Sequence, residues 1–298
     1  MVTPVYFENS LSLQFMQTPT IQEAWQKFHA ERSIILCPTS LVSDYRQTSK
    51  WLNRSPVTDL EEGRELMRWT LGQQPIKSAR RVCMYIKALY AWASSDEIGY
   101  LTKNPIAKYR MPKPPQQDEE IIVIPRNETS ILLNTFKERQ KKQDWAAYAE
   151  FMLQTAMRTG EVRAIQWSDI KEDKILVHCN YTLTHGLKNS TKTNKKRLVP
   201  LNARTQVILK GQPKTDDYVF PYNRYAFMSF FYDRAKELLE AGLISHRYRP
   251  YDLRHTAISR WLEEKIPVAQ AAKWAGNSSE VIWKHYVNVT QEYEMPTL

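Results

Sequence analysis

Glycine is scarce in this chain, with 8 residues among 298, and neither a GxGxxG nor a P-loop motif occurs. Both motifs need glycines that let the backbone approach a phosphate closely. The shortage therefore argues against a nucleotide-binding loop of either kind. Cysteine is scarcer still, with 3 residues, Cys37, Cys83 and Cys179. They lie far apart in the sequence and form no CxxC pair. Neither a disulfide framework nor a zinc site is expected, which suits a reducing compartment.

Long apolar runs are also missing. No stretch is apolar enough for a membrane-spanning helix, so none is expected. The N-terminal residues Met-Val-Thr-Pro-Val-Tyr-Phe-Glu lack a basic segment followed by an apolar one. We therefore expect no secretory signal.

Basic residues are in excess, since 42 Lys and Arg stand against 32 Asp and Glu and give a formal charge of +10. This balance favours a polyanionic partner, nucleic acid first, although a basic protein without such a partner would have the same composition. A hydrophobic fraction of 42% and an aromatic fraction of 11% are typical of a folded globular protein. A chain of 298 residues is long enough for two domains.

The first part of the chain predicts a small all-helical domain behind an irregular arm at 1–17. Its first helix begins at Thr20, which precedes Glu23 at the spacing of a capping box. Three further helices are predicted at 40–52, 59–69 and 77–92. One apolar stripe marks the fourth helix. Its members are Val82, Tyr85, Ile86, Leu89 and Trp92.

Composition changes after this region. Residues 111–120 read Met-Pro-Lys-Pro-Pro-Gln-Gln-Asp-Glu-Glu, and such a segment, rich in proline and charge, has little to bury. We predict an arm and helical domain at 1–112, a linker at 113–122, and a second domain with a C-terminal tail at 123–298.

The second domain is predicted to be helical with one small antiparallel sheet. Its helices are expected at 127–140, 145–157, 224–241, 254–264, 268–274 and 280–286. A strand is expected at 174–178, and residues 181–189 and 196–200 are predicted to pair around a polar tip. The predicted fold class is mainly α with a small antiparallel β-sheet.

Arg158 follows a predicted helix and stands three residues before Glu161. An arginine fork can donate two hydrogen bonds to a phosphate, and a nearby carboxylate can hold the guanidinium in place. An arginine and a glutamate at this spacing also form ordinary surface pairs on helices. For these residues alone, the surface pair is the favoured alternative.

Basic residues cluster at the tip of the predicted hairpin. Lys192 on a turn can reach into a DNA groove and donate a proton to a leaving oxygen. Lys195, Lys196 and Arg197 would bind phosphates without sequence preference. A solvated charged turn explains any one of these side chains equally well.

Arg254 and Tyr286 are the candidates near the end of the chain. Arg254 is placed at a helix start, where the dipole disfavours a cation, so it indicates an anion or a carboxylate partner such as Asp252. A free phenol, with a pKa of about 10, is a poor nucleophile at neutral pH, and Tyr286 would need cationic neighbours and a positioned phosphate. Tyr286 also has helical spacing to Trp283, and for an isolated tyrosine a place in the core is the favoured alternative.

Taken in order, these segments resemble the tyrosine recombinase (phage integrase) family. The resemblance rests on Arg158-Thr-Gly-Glu161, Thr191-Lys192-Thr with Arg197-Leu-Val-Pro-Leu, Tyr251-Asp-Leu-Arg254-His-Thr, Gly276-Asn277-Ser-Ser and Tyr286. Lys103-Asn-Pro-Ile in the helical part resembles the family's core-binding domain less specifically, and is a candidate DNA contact. The resemblance covers about residues 15–290. It implies a helical core-binding domain followed by a mixed α/β catalytic domain.

Two positions depart from the family pattern. Tyr251 stands where the family usually has the histidine of His-x-x-Arg, and Asn277 stands where it usually has histidine or tryptophan. Tyrosine and asparagine can donate hydrogen bonds to a phosphate, but neither is a proton shuttle near neutral pH. His255 and His285 could supply an imidazole, but neither occupies the family position. The departures imply weaker support for the remaining site residues, or reduced activity.

The resemblance implies a mechanism of strand transfer. Arg158 and Arg254 clamp the scissile phosphate, and Glu161 supports the first of them. Tyr286 attacks and forms a 3′-phosphotyrosyl link, while Lys192 protonates the departing 5′-oxygen. A 5′-hydroxyl of a partner strand then reverses the step, so no ATP is needed.

The resemblance also implies partners. Double-stranded DNA is the expected substrate, and a homo-tetramer on paired DNA sites is the expected assembly. Neither a cofactor nor a catalytic metal is expected, and the tail at 287–298 would dock on a neighbouring protomer. The expected location is the cytoplasm, on DNA and away from membranes.

Two alternatives stay open. One is a non-catalytic DNA-binding protein of the same fold, which Tyr251 and Asn277 motivate. The other is an enzyme like a type IB topoisomerase, which shares the chemistry but acts as a monomer. The helical first domain favours the recombinase over the topoisomerase.

Overall fold

A computed structural model of the protein describes residues 18–36, 40–73, 75–112, 121–139, 143–182, 186–188 and 195–286. The chain divides into two compact units between residues 115 and 116, inside the predicted linker at 113–122. The predicted arm at 1–17, most of the linker and the tail at 287–298 lie outside the described residues.

The first unit is helical in its described part, as predicted. Its elements are α1 (Ile21–Ser33), a π-helical turn (Leu41–Tyr45), α2 (Arg46–Leu52), a 3-10 turn (Leu60–Glu62), α3 (Gly63–Leu71) and α4 (Ile76–Ala93). The capping box at α1 is confirmed, because Thr20 Oγ1 accepts from Glu23 N at 3.2 Å and Thr20 N donates to Glu23 Oε2 at 2.9 Å. The predicted stripe of α4 lies in the core, with Val82, Ile86 and Leu89 fully buried.

The described part of the second unit begins at residue 121. Ile124 N donates to Thr256 Oγ1 of a later helix at 2.9 Å, and the chain then alternates helices with short strands. Its helices are α5 (Arg126–Arg139), α6 (Trp145–Thr155), α7 (Thr159–Ala164), α8 (Ala203–Lys210), α9 (Arg224–Glu240), α10 (Pro250–Glu263), α11 (Val268–Ala275) and α12 (Ser279–Tyr286). A 3-10 turn occupies Trp167–Asp169. Two of these helices, α7 and α8, were not predicted from the sequence.

The strands pair differently from the prediction. The described strands are β1 (Ile170–Lys171), β2 (Lys174–Val177), β3 (Asn180–Thr182), β4 (Gly186–Lys188) and β5 (Arg197–Pro200). They form an antiparallel sheet in the order β1-β2-β5 and a separate β3-β4 pair. The predicted pairing of 181–189 with 196–200 is therefore wrong among the described residues. β5 instead pairs with β2, where Val177 faces Arg197, because β5 alternates buried and exposed positions and buries Val199 beside Ile175.

Two hydrophobic clusters stabilise the second unit. The larger joins α5, α6, α9 and the three-stranded sheet through aromatic and aliphatic side chains such as Phe136, Phe151 and Phe231. The smaller joins α10, α11 and α12 and is rich in alanine, with Ala271, Ala272 and Ala275 on one helix. Small side chains let these three helices approach closely, and Tyr286 belongs to this cluster. No helix in the described ranges is long and apolar enough to cross a membrane.

Gly160 in α7 packs directly on β3. A Cβ atom at this position would lie 2.1 Å from Asn180 Oδ1 and 2.7 Å from the backbone oxygen of Tyr181. We expect Gly160→Ala to lower the free energy of unfolding by about 1–3 kcal/mol, since backbone must move to make room. Urea denaturation measures this loss. Gly211→Ala is the matched control, because its Cβ would meet carbonyl oxygens at 3.5 Å or more. Equal losses in the two variants would contradict the packing argument.

Candidate active site

Three arginines converge on the C-terminal end of α11. The last carbonyl oxygens of a helix have no partner within the helix, so they accept hydrogen bonds from elsewhere. Here each accepts from a different guanidinium. The three bonds are Arg197 Nε to Trp274 O (2.8 Å), Arg254 Nη2 to Ala275 O (2.8 Å) and Arg158 Nη2 to Gly276 O (3.4 Å). The negative end of the helix dipole also favours cations at this place.

Gly276 ends α11 and turns the chain towards these arginines. Its φ of +71° is a left-handed conformation that glycine adopts without strain, and its N–H donates to Ala272 O at 2.9 Å. A Cβ atom here would lie 3.0 Å from Arg197 Cζ. The glycine of the Gly-Asn-Ser-Ser motif therefore serves both the turn and the close packing of a guanidinium.

Asn277 bridges two of the arginines. Its Oδ1 accepts from Arg254 Nη2 at 2.8 Å and from Arg158 Nη2 at 3.2 Å. Because both partners are donors, the amide oxygen is the atom that faces them. An amide held in this way keeps the N–H donors of Nδ2 for a further acceptor. The arrangement brings the two predicted arginines within reach of one oxygen atom, which is what binding a phosphate oxygen requires.

Arg254 is fully buried in the second turn of α10. The prediction that it starts a helix is wrong, because α10 begins at Pro250 and Asp252 caps it by accepting from Arg249 N at 2.7 Å. Asp252 is also not its partner, since its carboxylate pairs with the Arg249 guanidinium at 3.0 Å. Burial, and then the charge of Arg158, lowers the pKa of Arg254 to about 10, which leaves it charged at neutral pH.

The chain makes a strained turn to meet Arg254. Ala156 ends α6 in the left-handed region, with a φ of 50°, and its carbonyl oxygen accepts from Arg254 Nη1. A non-glycine residue in this conformation is unfavourable and persists where its surroundings demand it. The next turn places Arg158 at the N-cap of α7. One tight connection thus positions both arginines.

Glu161 is the carboxylate that organises the group. It is 2% exposed, and it accepts from Arg158 Nη1 at 3.0 Å and from Arg197 Nη1 and Nη2 at 3.0 and 2.7 Å. The surface-pair alternative for Arg158 and Glu161 is therefore wrong. Burial by itself would raise the pKa of Glu161, but bonds and charge from Arg197 and the charges of Arg158 and Arg254 lower it below its usual value.

Arg197 differs from its prediction as a DNA-phosphate contact. The side chain is 8% exposed, and its guanidinium is taken up by Glu161 and by Trp274 O. It starts β5, which packs against α11, so the sheet carries it inward. Its role here is to position Glu161 and the end of α11. In the described residues Glu161 bonds two of the three guanidinium groups, those of Arg158 and Arg197, and Arg254 bonds only uncharged oxygens, which leaves the site positive.

Tyr286 is the last residue of α12 and is 2% exposed. Its Oη lies 2.7 Å from Nδ1 of His255. Burial raises the pKa of its phenol, and the charges of Arg254 and Arg158 oppose that shift. Tyr286 is thus both a core aromatic and a neighbour of the arginine group, so its two sequence-based interpretations are compatible.

A cavity of about 490 Å³ connects the predicted site residues. Its lining includes Thr159, Tyr251, His255, Asn277 and Tyr286. Tyr251 lies in the first turn of α10, is 42% exposed, and packs edge-on against the His255 ring at 4.8 Å. Among the described residues no group of three or more His, Cys, Asp or Glu side chains could hold a metal ion.

The predicted lysines are dispersed. Lys192 lies outside the described residues, and Lys103 is exposed in the first unit. Lys195 and Lys196 are exposed and line a second cavity of about 370 Å³, together with Lys273 of α11. The sequence-based prediction missed Lys273, although its position four residues before Asn277 places it one helical turn from the site. It named His255 only as one of two histidines that could supply an imidazole.

Comparisons with known proteins show which family and which solved structures this chain is similar to. The sequence model described as "Phage integrase family" matches residues 123–293. A shufflon-specific DNA recombinase of Escherichia coli is 31% identical over 141 residues, which are 46% of this chain. That segment spans 33% of the relative's own length.

Solved structures share the fold. The Tn1549 transposon integrase in complex with a circular intermediate DNA has a TM-score of 0.71 at 14% identity, over 90% of this chain and 95% of the other. A lambda integrase tetramer bound to a Holliday junction has a TM-score of 0.68 at 17% identity, over 89% of this chain and 79% of the other. At such identities the likeness concerns the fold.

Proposed function

The chain belongs to the phage integrase family, and on this premise we propose that it is a site-specific DNA recombinase that cleaves and rejoins strands through a 3′-phosphotyrosyl intermediate. One observation carries the proposal. Arg158 and Arg254 meet on a single oxygen of Asn277, beside the cavity that Tyr286 lines. A phosphate, two guanidinium groups and a phenol can thus be brought together there.

The arginines would bind the scissile phosphate. Both are held by carbonyl oxygens at the end of α11, so little reorganisation is needed when DNA enters. A phosphate oxygen can take the place that Asn277 Oδ1 occupies between them, or accept from Nδ2 of the same amide. Negative charge that builds up on the phosphate would be stabilised by both guanidinium groups.

Tyr286 would then attack the phosphorus. Its Oη forms the new bond while the bond to the 5′-oxygen breaks, and Lys192 gives that oxygen a proton. The covalent link conserves the energy of the phosphodiester, so a 5′-hydroxyl can reverse the step. Tyr251, exposed at the cavity, would donate a hydrogen bond to the phosphate.

DNA is the proposed partner, and a homo-tetramer on paired sites is the proposed assembly. Lys103, Lys195 and Lys196 would contact phosphates along the duplex, and Lys273 joins them as a further candidate. The formal charge of +10 supports such contacts, which salt weakens by counterion release. Support for a tetramer comes from lambda integrase, which shares the fold and was solved as a tetramer bound to a Holliday junction.

A covalent adduct is the direct test. The protein is incubated with a library of nicked duplexes of random sequence, because a nick lets the cleaved strand leave and traps the intermediate. Complexes that survive denaturation are isolated, their DNA is sequenced, and the peptide that carries the nucleotide is identified by mass spectrometry. We expect the nucleotide on Tyr286. No adduct from the library, or a nucleotide on another residue, would contradict the proposal.

The non-catalytic alternative is motivated by Tyr251 and Asn277, which replace the family's usual residues. The same library separates it from the recombinase, since a binding protein would enrich DNA on native gels without forming an adduct. An adduct accompanied by relaxation of supercoiled DNA at one site would instead indicate the topoisomerase.

A further inference from the structure

We propose that His255 accepts the proton of Tyr286 during strand cleavage and returns it when the strands rejoin. The inference rests on the proposed function, since it gives a role to a residue of that same site. It assigns the proton transfer to a histidine one position after Arg254, on the helix that also carries the phosphate-binding arginine.

The contact between the two side chains is direct. Nδ1 of His255 lies 2.7 Å from Oη of Tyr286, within the range of a good hydrogen bond. The rings lie with centroids 5.6 Å apart. Arg254 points towards the end of α11 while His255 points towards α12, so successive residues of α10 hold the phosphate site and the nucleophile.

Tyr251 supports this arrangement instead of performing the transfer itself. A phenol is not a base near neutral pH, so the residue at position 251 cannot take the proton. Its ring packs edge-on against the imidazole of His255 at 4.8 Å, one helical turn away. The tyrosine therefore restricts the orientation of the imidazole that faces Tyr286.

The imidazole is neutral in the free protein and therefore able to accept. The charged and titratable groups that face it are Asp252, Arg254, Arg249, His285, Tyr251 and Tyr286. Burial lowers the pKa of His255 to about 4. The charge of Asp252 opposes this shift, and the charges of Arg254 and Arg249 add to it. A phosphate bound to Arg254 would offset the cationic charge and make the imidazole more basic as the reaction proceeds.

The step balances without any further reactant. The neutral imidazole carries its hydrogen on Nε2, so that Nδ1 can accept. During cleavage the phenol proton moves to Nδ1, the Oη–P bond forms, the P–O5′ bond breaks, and Lys192 protonates the 5′-oxygen. During rejoining the 5′-hydroxyl attacks the phosphorus and gives its proton back to Lys192, the Oη–P bond breaks, and the proton on Nδ1 returns to Oη.

The first test uses a duplex on which the wild-type protein forms its adduct. His255→Asn keeps an amide close to the position of Nδ1 but cannot take up a proton, and His255→Ala removes the group. We expect both to lower the single-turnover cleavage rate by about 10²–10⁴-fold, and imidazole in solution to restore part of the rate of His255→Ala. His246→Ala, which alters an exposed histidine that does not line this cavity, should stay close to the wild-type rate. A near wild-type rate for His255→Asn would reduce His255 to a positioning residue and overturn the proposal.

A sulfur-substituted duplex separates the two ends of the reaction. With a 5′-bridging phosphorothiolate at the scissile position, the leaving thiolate needs no proton, but the phenol must still lose one. We expect this substrate to restore cleavage by Lys192→Ala and not by His255→Ala. Restoration of His255→Ala would show that His255 acts on the leaving group, and the proposal would fall.

The tautomer can be observed without DNA. Long-range ¹H–¹⁵N correlation spectra of the labelled protein distinguish a hydrogen on Nε2 from one on Nδ1. We expect Nε2–H for His255, and a shift of its Nδ1 signal in Tyr286→Phe. A hydrogen on Nδ1 would overturn the proposal even if the protein forms adducts. A protein with the expected tautomer that forms no adduct with any duplex would show that the proposed function itself fails.

Discussion

Tyr286→Phe is expected to abolish the covalent DNA adduct while the protein stays folded and continues to bind DNA. Phenylalanine keeps the ring in the alanine-rich cluster of α10, α11 and α12, but lacks the oxygen that attacks phosphorus. Loss of the bond to His255 should lower the free energy of unfolding by about 1 kcal/mol. Arg158 and Arg254 keep their partners, so affinity for the duplex should change little. The measurement is adduct yield on denaturing gels beside affinity on native gels.

Tyr225→Phe is the matched control for this variant. Tyr225 lies in α9, is largely exposed, and is not among the residues that line the cavity of Tyr286. The same hydroxyl is removed, so any general effect of the substitution appears here as well. If Tyr286→Phe still forms the adduct at the wild-type yield, another residue is the nucleophile and the proposed mechanism is wrong.

Much of the helical framework follows from local sequence. The capping box of Thr20 and Glu23, and the apolar stripe of α4, are local signals that the structure confirms. Helical periodicity likewise located α5, α6 and α9 to within about two residues. Such signals are strong because the hydrogen bonds and apolar faces of a helix are set by residues three or four positions apart.

Strand pairing and buried polar contacts could not be predicted in this way. β5 pairs with β2 because both contribute to one core, which depends on residues about twenty positions apart. Arg197 is buried because β5 pairs with β2 and because its guanidinium donates to a carbonyl oxygen at the end of α11. In the sequence Arg197 follows two lysines, and that local context predicts an exposed side chain. The bond between His255 and Tyr286 joins positions separated by 31 residues. No local pattern marks it.

The candidate site lies between these cases. Residue types, their order and the family resemblance predicted Arg158, Arg254, Asn277 and Tyr286 as site residues, and the structure brings these four side chains together. The structure adds what holds them. The carbonyl oxygens at the end of α11 and a buried carboxylate fix the guanidinium groups. Backbone carbonyl oxygens occur in every residue, so no sequence motif marks the ones that hold the arginines.

Glu161→Ala should be the most destabilising of the substitutions considered for the second unit. It removes the carboxylate from Arg197, which is 8% exposed, and from Arg158. Leaving a buried charge without its partner costs about 3–5 kcal/mol. Because the stability of a whole domain is roughly 5–15 kcal/mol, a large share would be lost, and the melting temperature should fall by roughly 10 °C. Urea denaturation and calorimetry measure both quantities.

Glu240→Ala separates this effect from the loss of any ion pair. Glu240 pairs with Lys236 on an exposed face of α9 at 3.6 Å, and such pairs contribute roughly 0–1 kcal/mol. Glu161→Gln adds a second comparison, because it keeps the shape but not the charge and should still leave Arg197 without a counter-ion. At temperatures where Glu161→Gln is folded, we expect adduct formation to fall as well, since Arg158 loses its charged anchor. If Glu161→Ala costs no more than Glu240→Ala, the buried carboxylate does not hold the arginine group together, and the geometry of the site must depend on the uncharged oxygens that accept from the arginines, those at the end of α11, of Ala156 and of Asn277.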